Sequence, residues 1–200
     1  MESLGNAKKY LFFDTETTGL PRNYKAPSRD TDNWPRLVQL SWIVTDEQGH
    51  ELAVRDYIIY PQGFKIPTQA SDVHGITTQR ALNEGVELAK VLEEFMHDFK
   101  DCDYIVGHNI AFDQKIVGAE FIRLGQKDPM ERKPSFCTMQ SSINYCQIPG
   151  YYGYKYPKLQ ELHKKLFGSN FEDAHNSLAD VSATTRCFWE MVNRQLIRFS

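Results

Sequence analysis

The 200-residue sequence has only four cysteines, Cys102, Cys137, Cys146 and Cys187, and no C-x-x-C pair among them. That scatter excludes a zinc-ribbon spacing and a disulfide framework. It reads as reduced, mostly buried thiols in a cytoplasmic protein. No apolar run approaches the ~18 residues of a membrane span, so no membrane association is expected. The stretch from Met1 to Lys9 lacks the apolar segment of a signal peptide. One-sided charge is missing too: 23 Lys+Arg against 26 Asp+Glu give a net −3. This argues against a polybasic binder but not against a local field that attracts nucleic acid. No repeat and no Ser/Gly linker interrupts the chain, so one domain over 1–200 is expected, with a core from about residue 8 to about 195. The hydrophobic share of 41% is ordinary for a globular chain, and a chain of this length buries roughly 70% of its unfolded surface without staples.

The apolar patterning is that of an α/β protein. Tyr10–Asp14 is a short apolar run ending in an acid, as in a buried strand. Leu37–Thr45 and Val54–Tyr60 are β-rich and flank the turn signal Asp46-Glu47-Gln48-Gly49, which predicts a hairpin. Leu88, Leu92, Phe95, Met96 and Phe99 share one helical face. Tyr104–Val106 predicts another short strand, and Ile110 to Leu124 a helix. Leu159, Leu162 and Leu166 predict a short helix stopped by Gly168, and Leu178 to Val192 a longer one. Between these lie a Pro-rich loop over 19–35 and an irregular Gly/Pro/Tyr-rich stretch over 147–157. Long loops in compact domains often carry function.

Three stretches concentrate acids where the chain turns. Asp14-Thr15-Glu16-Thr17-Thr18-Gly19-Leu20 closes the first strand. Residues i and i+2 of a strand share a face, so Asp14 and Glu16 present two carboxylates to one spot. At 4 Å and an effective dielectric of 20 their repulsion is about 4 kcal/mol. A hard cation such as Mg²⁺ or Mn²⁺ removes that cost; so does simple exposure at a solvated strand end. Gly107-His108-Asn109-Ile110-Ala111-Phe112-Asp113 also follows a strand and opens a helix. There Asp113 suits the macrodipole whether or not it binds a ligand. His175-Asn176-Ser177-Leu178-Ala179-Asp180 opens the last helix. A histidine beside a carboxylate cluster is a natural general base, whereas a lone histidine is more often structural.

Taken together and in this order, D-T-E-T-T-G-L, H-N-x-A-F-D and H-N-x-L-x-D resemble the DnaQ-like exonucleases, the DEDDh branch of the 3′→5′ exonucleases, over about Tyr10 to Val192. Val73-His74-Gly75-Ile76-Thr77 is similar to a further segment of that family. The resemblance implies a ribonuclease H-like fold, a mixed five-stranded sheet flanked by α-helices, with the first three strands antiparallel. It implies that Asp14, Glu16, Asp113 and Asp180 hold two divalent metal ions, Mg²⁺ or Mn²⁺, about 3.5–4 Å apart. It makes His175 the base that takes a proton from the attacking water. Thr15, Thr17, Thr18, Gly19, Leu20, His74, Asn109 and Phe112 become the expected substrate contacts, with Leu20 wedged beside the last base. Gln69 stands where related proofreading subunits have a substrate-contacting glutamate.

The implied activity is release of nucleoside 5′-monophosphates from the 3′ end of single-stranded DNA, in proofreading or repair. The partners are single-stranded 3′ ends, DNA before RNA, and a DNA polymerase. Two alternatives stand beside it: an exoribonuclease or oligoribonuclease with the same chemistry, and a non-catalytic polymerase-associated binding subunit. The loop over 20–36 either shapes the substrate rim or is a mobile insertion. Tyr145, Tyr151, Tyr152, Tyr154 and Tyr156, interleaved with Lys155 and Lys158, form either a stacking wall for bases or a self-packed loop.

Overall fold

The computed structural model describes residues 7–197; Met1–Asn6, part of the stretch read for an export signal, lie outside the described residues. The chain runs β1 (Tyr10–Thr17), β2 (Leu37–Thr45), β3 (Glu51–Ile58), α1 (Thr68–His74), α2 (Thr78–Glu84), α3 (Leu88–Lys100) and β4 (Tyr104–Gly107). It continues through α4 (Ile110–Arg123), β5 (Ser135–Cys137), α5 (Thr138–Ser141), α6 (Ile143–Cys146), the two-residue strands β6 (Pro149–Gly150) and β7 (Gly153–Tyr154), α7 (Leu159–Phe167) and α8 (Ser177–Asn193). Five strands form one sheet in the order β3-β2-β1-β4-β5. β1 is antiparallel to β2 and β2 to β3, while β4 is parallel to β1 and β5 to β4. The expected mixed five-stranded sheet is therefore present.

Alternation along β1 sorts the two cores. Leu11 and Phe13 face the side covered by α3 and α4, packed with Trp42 and Phe95. Tyr10 and Phe12 face the side covered by α7 and α8, packed with Phe188 and Met191. β2 is buried at all nine positions, because helices cover both faces of the central strands. A smaller cluster of Val38, Ile66, Ile76 and Ala81 seats α1 and α2 beside β2 and β3. Gly168 ends α7 in the left-handed conformation (φ 82°), as expected from its position. Among the described residues no helix is long and apolar enough to cross a membrane. All four cysteines are free thiols, and burial pushes those of Cys102 and Cys187 up to about 12, which leaves them unreactive.

Several elements differ from the expectation. α1, α2 and β5 were not anticipated. α1 is seven residues long and buries only His74, so it carries no apolar period. The hairpin's second strand starts at Glu51 rather than Val54. The stretch over 147–157, expected to be irregular, contains the hairpin β6–β7. The loop over 20–36 is not a mobile insertion. Trp34, Ala26, Ser28 and Asn33 are buried in it, and the Arg123 guanidinium donates to the carbonyls of Thr31 and Trp34 at 2.6 Å each.

Candidate active site

Asp14 and Glu16 lie near the C-terminal end of β1, opposite Ser41 and Gln39 of β2. By alternation they face the α8 side. Ser177 brings α8 to them: its hydroxyl donates to the Asp14 carbonyl at 2.7 Å, and its N–H donates to Gln39 Oε1 at 3.4 Å. Asn176 caps the helix by accepting from the N–H groups of Leu178 and Ala179. The cap fixes the first turn, and one residue beyond Ala179 it delivers Asp180. One carboxylate oxygen each from Asp14, Glu16 and Asp180 then lie within 4.8 Å of one another.

Asp113 approaches from α4, on the other side of the strand. It is buried, and its Oδ1 accepts from Thr15 N at 3.0 Å and Thr15 Oγ1 at 2.6 Å. Thr15 thus serves the cluster from the opposite face of β1. Its hydroxyl is committed to Asp113 rather than offered to a substrate. Asp113 is not among the three mutually close oxygens, yet it is near enough to act on them electrostatically.

Burial first, and then the neighbouring carboxylates, hold Asp14 well above the usual carboxylate range. The same causes raise Glu16 to about 8. Burial raises Asp113 to about 7 against the Thr15 hydrogen bonds. Asp180 rises to about 6, again by burial, partly offset by the His175 N–H. Asp14 and Glu16 are pushed up further by the neighbouring acids, while the His175 side chain draws Asp180 down. Oxygen-only donors, half-buried and convergent, fit a hard divalent cation.

A groove of about 580 Å³ opens beside Glu16. Thr15, Thr17, Thr18, Gly19 and Leu20 form one wall, and His74 and Phe112 close it from α1 and α4. Seven of the expected substrate contacts therefore meet in one place; Asn109 does not line the groove. It sits exposed before α4 with a left-handed backbone (φ 76°). The β1 turn is fixed by Thr17 Oγ1 donating to the Gly19 carbonyl at 2.6 Å and Thr18 N donating to the Arg36 carbonyl at 2.9 Å. Gly19 adopts φ 151°, which a side chain would resist. Leu20 is exposed beside Val73 of α1, which also lines the groove. Phe112 is held by Trp34 and Tyr24, each 6.4 Å away between ring centroids, so the loop over 20–36 shapes the groove from behind. Burial keeps His74 below its usual pKa. Its Nδ1 accepts from Ile76 N–H at 3.1 Å, which places the proton on Nε2.

His175 is exposed, with a left-handed backbone (φ 72°), and its N–H donates to Asp180 Oδ2 at 3.1 Å. The loop that presents it is braced by α7. Gln160 donates to the Phe171 carbonyl at 2.8 Å and accepts from Phe171 N–H at 3.2 Å, while His163 Nδ1 donates to the Ser169 carbonyl at 2.8 Å. Sequence reading missed Gln160, His163, Ser177 and the α1 residues Ala70 and Val73. Ser177 and Val73 carried a signal, since they lie inside the H-N-x-L-x-D and V-H-G-I-T stretches. His108, in the second motif, is a linker: Nδ1 accepts from Thr138 Oγ1 and Nε2 donates to the Pro157 carbonyl, both at 2.9 Å. Burial lowers its pKa to about 4 and keeps it neutral.

A five-stranded sheet with a carboxylate cluster at its β1 end is the architecture of a nuclease domain, and the chain belongs to the exonuclease family (RNase_T), whose sequence model matches residues 11–188. The PolC-type DNA polymerase III of Pediococcus pentosaceus is 28% identical over 177 residues, covering 88% of this chain and 11% of the polymerase. The 3′-5′ exonuclease DinG of Bacillus subtilis is 26% identical over 191 residues, covering 94% of this chain and 18% of that protein. The chain thus spans only a small part of these relatives. Among solved structures, the zinc-bound complex of E. coli exonuclease I with single-stranded DNA superposes with a TM-score of 0.76 at 22% identity, over 94% of this chain and 41% of that one. That likeness establishes the fold.

Proposed function

We propose that this domain is a 3′→5′ exonuclease that removes nucleoside 5′-monophosphates one at a time from single-stranded DNA. The observation that carries the reading is the convergence of the Asp14, Glu16 and Asp180 oxygens within 4.8 Å beside a groove wide enough for a nucleotide. In this reading Asp14, Glu16 and Asp180, with Asp113 behind them, hold two divalent cations, Mg²⁺ or Mn²⁺. Bound there, such cations supply a water of lowered pKa and stabilise charge on the leaving oxygen.

The chain's own residues do the rest. Leu20, Val73 and Phe112 receive the terminal base, and the Thr17–Gly19 main chain meets the terminal sugar. His74 offers its Nε2–H from α1. His175 accepts the proton of the attacking water. The water oxygen bonds to phosphorus, the P–O3′ bond breaks, and the departing 3′ oxygen takes a proton from solvent, while His175 returns its own to solvent; the products are a 3′-hydroxyl on the shortened strand and a free 5′-monophosphate. The relatives are a DNA polymerase and a protein named for 3′-5′ exonuclease activity, which favours DNA over RNA and a role in proofreading or repair.

The test is stepwise shortening of end-labelled single strands of DNA and RNA, with Mg²⁺, Mn²⁺ or EDTA, beside His175→Ala. Loss of nucleotides from the 3′ end, abolished by EDTA and strongly slowed by His175→Ala, is expected, with DNA cut faster than RNA. Cleavage of neither strand under either metal overturns the enzymatic reading in favour of a binding subunit.

A further inference from the structure

The hairpin β6–β7 is not used by the site just described. At its tip Tyr151 and Tyr152 are 90% and 96% exposed, with ring centroids 4.6 Å apart in a T-shaped pair. Tyr154 and Tyr156 behind them are 51% and 55% exposed. A soluble domain gains nothing in stability by holding four tyrosine rings in water. The surroundings are basic. Residues 145–165 contain Lys155, Lys158, Lys164 and Lys165 against a single acid, Glu161, in a chain whose net charge is −3. Lys155 is spent on Glu161, at 2.7 and 2.8 Å, while Lys158, Lys164 and Lys165 are exposed.

The hairpin's position matters as much as its composition. β1 and β4 run parallel with Phe12 level with Val106, so His108, the residue that follows β4, leaves the sheet at the same end as Asp14. His108 Nε2 holds the Pro157 carbonyl, so the chain just after the hairpin is fastened to the end of the sheet at which β1 carries the acids. The groove lies on the other side of β1, where α1 sits against β2 and β3. The carboxylates are therefore between the groove and the hairpin. A strand whose last nucleotide occupies the groove and whose scissile phosphate lies at the acids must continue toward β4, β5 and the hairpin.

We infer that the Tyr151–Tyr152 tip is a second binding site for single-stranded nucleic acid, which stacks bases upstream of the cleaved nucleotide while the nearby lysines face its phosphates. The inference rests on the exonuclease reading for the direction of the strand. Base–ring stacking is tolerant of sequence, so the site serves length recognition rather than base recognition.

The experiment compares wild type, Tyr151→Ala/Tyr152→Ala and Tyr151→Phe/Tyr152→Phe. Anisotropy of 5′-fluorescein dT12 in EDTA reads binding without turnover, and hydrolysis of dT12 and of the dinucleotide dT2 with Mg²⁺ reads KM. Both rings are exposed, so melting temperatures should match wild type. The double alanine variant should weaken dT12 binding and raise its KM roughly tenfold or more. KM for dT2, which ends before the hairpin, should not change, and the double phenylalanine variant should behave as wild type. Wild-type turnover of dT12 with the alanine variant indistinguishable in KM and anisotropy overturns the inference while leaving the exonuclease reading intact. Absence of any hydrolysis, with anisotropy still lost in the alanine variant, overturns that reading instead and leaves the hairpin as a nucleic-acid site.

Discussion

The molecule buries acids in two places and treats them oppositely. On α4, Glu120 is fully buried; its Oε1 accepts from Arg36 Nε and Leu37 N, each at 2.9 Å, and forms an ion pair with Arg123 Nη1 at 2.8 Å. Two guanidiniums and a main-chain N–H neutralise it, and the assembly locks the loop over 20–36 to α4. At the end of β1, Asp113 accepts hydrogen bonds from Thr15 and Asp180 accepts one from the His175 N–H; burial raises all four acids, and neighbouring carboxylates add to the rise of Asp14, Glu16 and Asp113. An acid that carries its own cations is a structural rivet. Acids gathered without one are a site whose missing charge comes from solution.

Substitution at each place should separate the two roles most sharply. Asp14→Asn should cut hydrolysis by a factor on the order of 10³ or more, since on the proposed reading it removes a metal ligand and the electrostatic stabilisation that depends on it. In EDTA its melting temperature should equal or exceed that of wild type, because a repelling charge has gone. Glu120→Gln should do the reverse. It strands two arginines at a buried site, at a cost of about 3 kcal/mol, or roughly 6–12 °C in a chain of this size. The thermal upshift on adding Mn²⁺ should survive in Glu120→Gln and vanish in Asp14→Asn. Equal upshifts in both variants would erase the distinction.

Within the acid site the comparison sharpens further. His175→Ala should lower kcat roughly 10²–10⁴-fold yet keep the Mn²⁺ upshift, since in the proposed mechanism His175 takes a proton and does not hold the metal. Gln160→Leu keeps the side-chain bulk but loses both hydrogen bonds to Phe171. It should lower kcat by about tenfold through a misplaced His175, with KM for dT2 unchanged. A normal kcat in Gln160→Leu, alongside a crippled His175→Ala, would show that α7 does not position the loop.

The acid site was far more legible in the sequence than the arginine-bound Glu120. Asp14 and Glu16 announce themselves by strand alternation, and Asp180 by its place at the start of the last helix, five residues after His175. These are local rules, readable within six residues. Asp113 was placed correctly in the first turn of α4, but its partner Thr15 lies 98 positions away, and no local rule joins them. Glu120 reads as one acid on a helix; its meeting with Arg36 spans 84 positions. The same reasoning explains the missed α1. A one-face helix of two turns leaves no periodic trace, although its exposed Val73 is a wall of the groove. The Pro-rich loop could be seen to be long, but its order depends on Trp34 and Arg123 meeting across the fold.

The smallest and most diagnostic effect concerns pH. A carboxyl whose folded pKa exceeds its unfolded value binds its proton more tightly when folded, so folding is favoured at low pH and loses ground as pH rises toward the folded pKa. Glu16 near 8, Asp113 near 7 and Asp180 near 6, against ordinary values near 4, put that window between about pH 4 and 8. In EDTA, wild type should therefore melt lower at pH 8 than at pH 6. A divalent cation competes with those protons, so the upshift it gives should be larger at pH 8 than at pH 6. Glu120→Gln should keep this slope, because its defect lies elsewhere, and Asp14→Asn, which loses one of the raised carboxyls, should reduce it. The absence of any such slope in wild type in EDTA would mean that the β1 acids are not the groups that titrate, and the contrast between the two burials would lose its physical basis.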